Sequence, residues 1–204
     1  MIDKEINLIL KPILEAISIN LVKLNIKANQ ITFIGLILGI ICFIFLIQGY
    51  FLLALLFFLL NRLFDGLDGY VARRTKITDL GGYYDIICDF VIYSLVPLGF
   101  IFYDENNSYA FSFLLASFIG TSSSFLAAAW IIEKNKSLLN LRSNKSFFYS
   151  RGIAEGFETI LFFAIMFIFP KYAFLFAWLF GFICWMTLII RVIHIKLIFS
   201  KNDN

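Results

Sequence analysis

Charge is what this chain has least of. Only 15% of its 204 residues are Asp, Glu, Lys or Arg, against 61% hydrophobic residues, and the mean hydropathy is +0.88. Soluble domains carry about a quarter charged residues, so this composition excludes that class and indicates a polytopic membrane protein. Histidine is almost missing: His194 stands alone near the end of the last apolar run with no partner pattern around it, and reads as an interfacial side chain rather than a ligand. Cysteine is scarce as well. Cys42, Cys88 and Cys184 are scattered through apolar runs without metal-ligand spacing, which argues against a zinc site and makes them small packing residues. The N-terminus lacks the basic start, short apolar core and small-residue cleavage site of a signal peptide. No nucleic-acid partner is expected.

What is present is long apolar runs. A bilayer span needs about 20 consecutive apolar residues, and such runs cover Ile31 to Gln48, Phe51 to Ala72, Gly82 to Phe102, Tyr109 to Ile132, Ile153 to Phe169 and Tyr172 to Ile195. Six transmembrane helices are therefore expected, broken at Gln48-Gly49-Tyr50, at the polar stretch Thr75 to Gly81, at Tyr103 to Ser108, at the basic segment Glu133 to Arg151 and at Pro170-Lys171. Before the first run, Ile6, Ile9, Leu10, Ile13, Leu14, Ile17, Leu21 and Leu24 recur at helical spacing between polar residues. That pattern predicts an amphipathic helix lying in the membrane interface, with Pro12 at its first turn or at a kink. The fold class is thus all-α and integral to the membrane. The chain divides into an interfacial helix over 1–28, a six-helix bundle over 29–195 and a tail over 196–204, all within one membrane domain of 1–204.

Lys and Arg fall on one side. Lys4, Lys11, Lys23 and Lys27 precede the first span; Arg73, Arg74 and Lys76 join the second to the third; Lys134, Lys136, Arg142, Lys145 and Arg151 join the fourth to the fifth; Arg191, Lys196 and Lys201 close the chain. The opposite connections carry only Lys171 and the acidic "YDENNSY". Positively charged segments stay cytoplasmic, so both termini are expected to face the cytoplasm.

Against this background, "DGLDGYVARRTKITDLGGYYDIICDF" places Asp65, Asp68, Asp85 and Asp89 at or near membrane depth, where each ionised carboxylate costs a few kcal/mol. Asp65 and Asp68 share a helix face that Gly69 and Ala72 continue; Asp85 and Asp89 share another that Gly81 extends. The short connection makes the second and third spans antiparallel neighbours and brings both pairs together. Carboxylates so close repel unless cations or protons intervene. Oxygen-only donors suit Mg²⁺ or Mn²⁺, ions that bind through a few carboxylates together with substrate phosphates. Gly66, Gly69, Gly81 and Gly82 leave room for a substrate at the backbone, and Arg73 and Arg74 can hold phosphate oxygens.

These residues resemble the signature of the CDP-alcohol phosphotransferases: D, two residues, DG, two residues, AR, a spacer, G, three residues, D, three residues, D. Asp65, Asp68, Gly69, Ala72, Arg73, Gly81, Asp85 and Asp89 fill its eight positions. The spacer "RTKITDL" is one residue shorter than in most members; Gly82 would fit the longer one, but only Gly81 keeps the distance to the last two aspartates. The resemblance extends over the whole chain, with "ANQIT" leading into the first span as in family members, while "FIGTSSSFLAAAW" and "GIAEGFETI" look like an unassigned bacterial inner-membrane subgroup.

The resemblance implies a metal-dependent transferase of phospholipid synthesis, in the bacterial inner membrane, that moves a substituted phosphate from a CDP-linked donor to an alcohol and releases CMP. By position, Asp65, Asp68 and Asp85 would bind metal and the CDP diphosphate. Asp89 would be the general base as well as a fourth metal ligand, and Gly69, Ala72, Arg73 and Gly81 would shape the nucleotide pocket. CDP-diacylglycerol is the expected donor, because its tails could enter sideways between helices. Glycerol 3-phosphate, serine and inositol phosphate are the family's possible acceptors; glycerol 3-phosphate is preferred as common and anionic, with Arg151 as counter-charge. A homodimer with an active site open to the cytoplasm is also implied.

Two other classes compete. A cation or proton pathway would also use membrane carboxylates, though spread through the depth of the bilayer. An intramembrane Mg²⁺-dependent prenyltransferase binds diphosphate through aspartates too, but lacks the DG and AR elements. Glu155 and Glu158 form a third acidic pair near Arg151, read either as acceptor recognition or as an ion pair with Arg62, Arg151 or Arg191. Gly35, Gly39 and the stretch Gly120 to Ser124 are expected at close helix crossings, and the 26 phenylalanines are expected mostly as lipid-facing bulk.

Overall fold

The computed structural model describes residues 2–135, 154 and 156–200, with side chains from Lys11 onward. Among these the chain is helical, without strands: α1 (Ile2–Lys23), α2 (Ala28–Ile47), α3 (Phe51–Arg74), α4 (Asp79–Tyr103), α5 (Ser108–Lys134), α6 (Gly156–Ile168) and α7 (Ala173–Ser200), with single 3₁₀ turns before α5 and α7. By length and composition α2, α4, α5 and α7 can each cross a membrane, and α6 is a shorter apolar helix. With four to five such helices the chain is an integral membrane protein. The 24-residue α3 has the length to span but carries Arg62, Asp65, Asp68, Arg73 and Arg74. α7 runs through residues 196–200, where a tail is expected, and Pro12 sits in the interior of α1 rather than in its first turn.

The connections follow from local chemistry. Between α1 and α2, Asn25 takes the left-handed conformation (φ 58°), which the short polar Asn side chain tolerates. Gly49 turns the chain from α2 to α3 at φ +78° beneath the Tyr103 ring, where an added Cβ would come within 2.8 Å of a ring carbon. Thr78 caps α4, its Oγ1 accepting from the Gly81 amide at 3.1 Å, and Asp79 adds an acidic charge to the first turn.

α2 is the hub: it packs most extensively on α3 and against α4 as well, while α5 pairs with α7. The α2–α4 crossing is close because Gly39 has no side chain there; an added Cβ would sit 2.1 Å from Ile92 Cδ1. α3 and α4 are linked by residues 75–78 alone, yet their backbones scarcely approach each other. They are neighbours across a wedge filled by side chains, not a tight antiparallel pair. The main core draws on α2 to α7. Phe58, Phe100, Phe111, Phe163, Phe167 and Phe180 are fully buried there, with Phe100 and Phe111 stacked at 4.7 Å. Phenylalanine is therefore core material as well as lipid-facing bulk: without a hydrophobic drive between helices, packing of flat rings supplies the contact. A second cluster, Leu14, Ile31, Leu67 and Val71, seats α1 on α2 and α3.

Candidate active site

The wedge between α3 and α4 holds the aspartates. On α3, Asp68 is 5% exposed, and its Oδ2 accepts from Thr32 Oγ1 of α2 at 2.5 Å. The same hydroxyl lies 3.2 Å from the Ala28 carbonyl, so its single proton is shared between two acceptors. One turn farther from the 75–78 connection, Asp65 lies within electrostatic reach of Asp85 and Asp89. Beyond them stands a cation. Arg62 Nη1 lies 2.7 Å from Asp89 Oδ1 and 3.7 Å from Asp65 Oδ2, with only 7% of the arginine side chain exposed.

Toward the 75–78 connection the wedge opens into a pocket of about 190 Å³ lined by Ala28, Asn29, Thr32, Asp68, Gly69, Ala72, Arg73, Lys76, Ile77, Thr78, Gly81, Gly82 and Asp85. Two helix N-termini meet here, those of α2 and α4, and their dipoles favour an anion. Arg73 and Lys76 add positive charge on the same wall. The Arg73 guanidinium lies 4.5 Å above the Tyr70 ring, which steers it across Gly69; a Cβ on Gly69 would be 3.2 Å from its Nη1. The pocket thus has a cationic mouth at two helix N-termini and an acidic floor.

Six of the eight signature residues, Asp68, Gly69, Ala72, Arg73, Gly81 and Asp85, line this pocket, and Asp65 and Asp89 lie one turn farther along the same two helices. Two expectations are corrected. Gly66 does not open onto the pocket; its nearest neighbour is Leu14 of α1, so helix rotation turns it to the opposite face. Arg74 points the same way, its Nε donating to Ser18 Oγ on α1 at 2.8 Å. Glu158 lies in the first turn of α6, whereas Arg151 and Glu155 fall outside the described residues. His194 is exposed, Cys42 and Cys184 are buried and Cys88 is half-buried, all three as free thiols.

Sequence reasoning passed over Thr32, Asn29, Lys76 and the role of Arg62. Thr32 and Asn29 belong to "ANQIT", whose polar residues just inside an apolar run carry a signal, and Arg62 is a lone cation in mid-helix. The donor chemistry of four carboxylates fits a hard divalent ion. Among the described residues, however, no three His, Cys, Asp or Glu side chains are grouped so as to hold one. Thr32 and Arg62 engage Asp68 and Asp89 instead.

Comparison with known proteins gives the family and the fold. The family profile of CDP-alcohol phosphatidyltransferase matches residues 25–196. The chain belongs to that family. It is 45% identical, over 94% of its own length and 94% of the relative's, to inner membrane protein YnjF of Escherichia coli strain K12. Its fold matches the crystal structure of Mycobacterium tuberculosis phosphatidylinositol phosphate synthase (PgsA1) with CDP-DAG bound, at a TM-score of 0.75 and 18% identity, covering 90% of this chain and 94% of that one. On family membership, the cation-pathway and prenyltransferase readings are set aside.

Proposed function

We propose that the protein transfers a phosphatidyl group from CDP-diacylglycerol to a small alcohol, releasing CMP. The observation that carries this reading is the pocket itself, where two helix N-termini, Arg73 and Lys76 face the buried carboxylate Asp68 and the half-buried Asp85. A diphosphate fits that polarity: its oxygens take the helix N-termini and cations, and its negative charge meets the acidic floor only through an intervening cation.

Asp65, Asp68, Asp85 and Asp89 would hold Mg²⁺ or Mn²⁺, which when bound would neutralise charge on the diphosphate and the leaving CMP. In the protein's own part of the reaction, Arg73 and Lys76 bind phosphate oxygens, and Gly69, Ala72 and Gly81 keep the walls low for the nucleotide. Asp89 takes the proton from the acceptor hydroxyl. The hydroxyl oxygen then attacks the lipid-bearing phosphorus, and the bond from that phosphorus to the CMP oxygen breaks.

The reading includes six membrane spans, with α3 and α6 among them, α1 in the interface, and both termini and the pocket on the cytoplasmic side of a bacterial inner membrane. It places Arg151, Glu155 and Glu158 at the acceptor, glycerol 3-phosphate, and carries a homodimer over from the family. The basic residues Arg73 and Lys76 at the pocket mouth support the orientation.

The test is CMP release by the purified protein in detergent with CDP-diacylglycerol, Mg²⁺ or Mn²⁺ and a panel of alcohols. Metal-dependent release with one alcohol names the acceptor. Release with none of them, from folded protein, overturns the proposed donor and acceptor class.

A further inference from the structure

Arg62 lies outside the eight-residue signature, yet it is the best-anchored cation of the wedge. Its Nε donates to Asn61 Oδ1 at 2.8 Å, and Asn61 in turn donates Nδ2 to the Gly35 carbonyl of α2 at 2.8 Å. Its Nη1 donates to Asp89 Oδ1 at 2.7 Å and reaches Tyr93 Oη at 3.1 Å. The guanidinium plane is flanked by rings, its carbon 5.0 Å from the centre of Tyr93 and 5.9 Å from that of Phe58. A guanidinium carries a permanent charge on a flat, rigid fork, so these contacts fix where the charge sits. Residues of α2, α3 and α4 all take part. Tyr93 and Asp89, four residues apart on α4, are thereby held against one side chain of α3 across a gap that the backbones do not close.

A buried arginine at such depth is costly unless it is paired. Here the pairing is selective. It engages Asp89 directly and Asp65 at 3.7 Å, and leaves Asp68 to the Thr32 hydroxyl. We propose that Arg62 is a positioning residue of this site, a fixed cation that holds the Asp89 carboxylate in place and sets how tightly the four aspartates bind a divalent ion. The proposal rests on the metal-dependent transferase reading above. Two effects follow. The charge of Arg62 opposes a second cation among the carboxylates, so its removal strengthens divalent-ion binding. Its fork fixes Asp89, so a lysine that restores the charge without the fork restores the ion affinity but not the turnover.

The experiment titrates Mn²⁺ into substrate-free protein in detergent, following the spin-resonance signal of the free ion, and measures kcat and KM for CMP release in parallel. Arg62→Gln is expected to bind Mn²⁺ about tenfold or more tightly than the wild type, because a unit charge a few ångströms away is only partly screened at this burial. Arg62→Lys is expected to keep the Mn²⁺ dissociation constant within about twofold, while kcat falls about tenfold with KM unchanged. An unchanged Mn²⁺ affinity in Arg62→Gln, or a wild-type kcat in Arg62→Lys, overturns the proposal; should the glutamine variant fail to fold, the lysine variant decides. Wild-type protein that neither binds Mn²⁺ nor releases CMP overturns the transferase reading itself, an outcome distinct from failure of the Arg62 variants alone.

Discussion

Thr32 of α2 and Asp68 of α3 are joined by the shortest contact in the wedge, Oγ1 to Oδ2 at 2.5 Å, between two buried side chains. Hydrogen bonds to a charged acceptor contribute about 1.5–3 kcal/mol, and an orphaned buried carboxylate loses more than the bond itself. Thr32→Val keeps the shape and removes the donor. Its kcat for CMP release is expected to fall about tenfold or more, by the same energy scale. Thr32→Ser keeps the hydroxyl and is expected to stay near wild type. Steady-state CMP release at saturating Mg²⁺ checks both; a Thr32→Val enzyme with full turnover would show the bond to be idle.

Asp85 and Asp89 share one face of α4 but have different partners, since Asp89 alone is in direct ion pair with the buried Arg62. Both Asp85→Asn and Asp89→Asn are expected to lower CMP release by about a hundredfold or more, the usual scale for losing a proton-transfer group and no smaller for losing a ligand. Their stabilities should diverge. Asp89→Asn leaves a buried guanidinium with only the more distant Asp65 as counter-charge, and breaking a buried pair is strongly destabilising. Thermal unfolding in detergent should therefore show a lower Tm for Asp89→Asn than for Asp85→Asn. Equal Tm values would mean that Arg62 finds compensation elsewhere.

The wedge was legible in sequence to the extent that chemistry is local. Aspartates in an apolar run are expensive wherever they fall, so Asp65, Asp68, Asp85 and Asp89 stand out without any structure, and their three- and four-residue spacings assign them to helix faces. Apolar length likewise marks α2, α4, α5 and α7 as membrane helices. Helix rotation is less visible. Gly66 and Arg74 each lie one residue away from pocket-side positions, yet both face α1, because a step of one residue turns a helix by more than a quarter circle. The partners supplied by other helices are hidden altogether. Nothing near Asp68 in the chain names Thr32, 36 residues earlier, and only the close α2–α3 packing brings the two together.

That packing gives a stability prediction. A Cβ on Gly39 would stand 2.1 Å from Ile92 Cδ1 and 2.8 Å from Cγ1, and Ile92 is 1% exposed with nowhere to retreat. Gly39→Ala is expected to destabilise the protein by about 1–3 kcal/mol, the usual cost of overpacking. Adding Ile92→Val, which deletes the nearer clashing methyl, should recover part of that loss. Gly82 is the control, because a Cβ there meets nothing within 4 Å. Denaturation midpoints of the three variants test the argument, and a neutral Gly39→Ala would show that α2 and α4 can part without cost.

Arg73 and Arg74 are consecutive yet serve different faces of α3, which makes them separable by experiment. Arg73 lies over the Tyr70 ring and lines the pocket, where a planar fork can grip two phosphate oxygens at once. Arg73→Lys keeps the charge and loses the fork, so the KM for CDP-diacylglycerol should rise about tenfold, the loss of one charge-assisted contact, with a smaller change in kcat. Arg74 instead donates to Ser18, which is a fully buried residue of α1 and itself donates to the Glu15 carbonyl. Arg74→Ala leaves the pocket wall intact and removes a tie between α1 and α3. Hydrogen exchange of the α1 backbone over residues 13–21 should accelerate in that variant while the KM for the donor stays put. A rise in KM on Arg74→Ala comparable to that of Arg73→Lys would instead place both arginines at the phosphates, and would require α3 to rotate from the position its contact with Ser18 now holds.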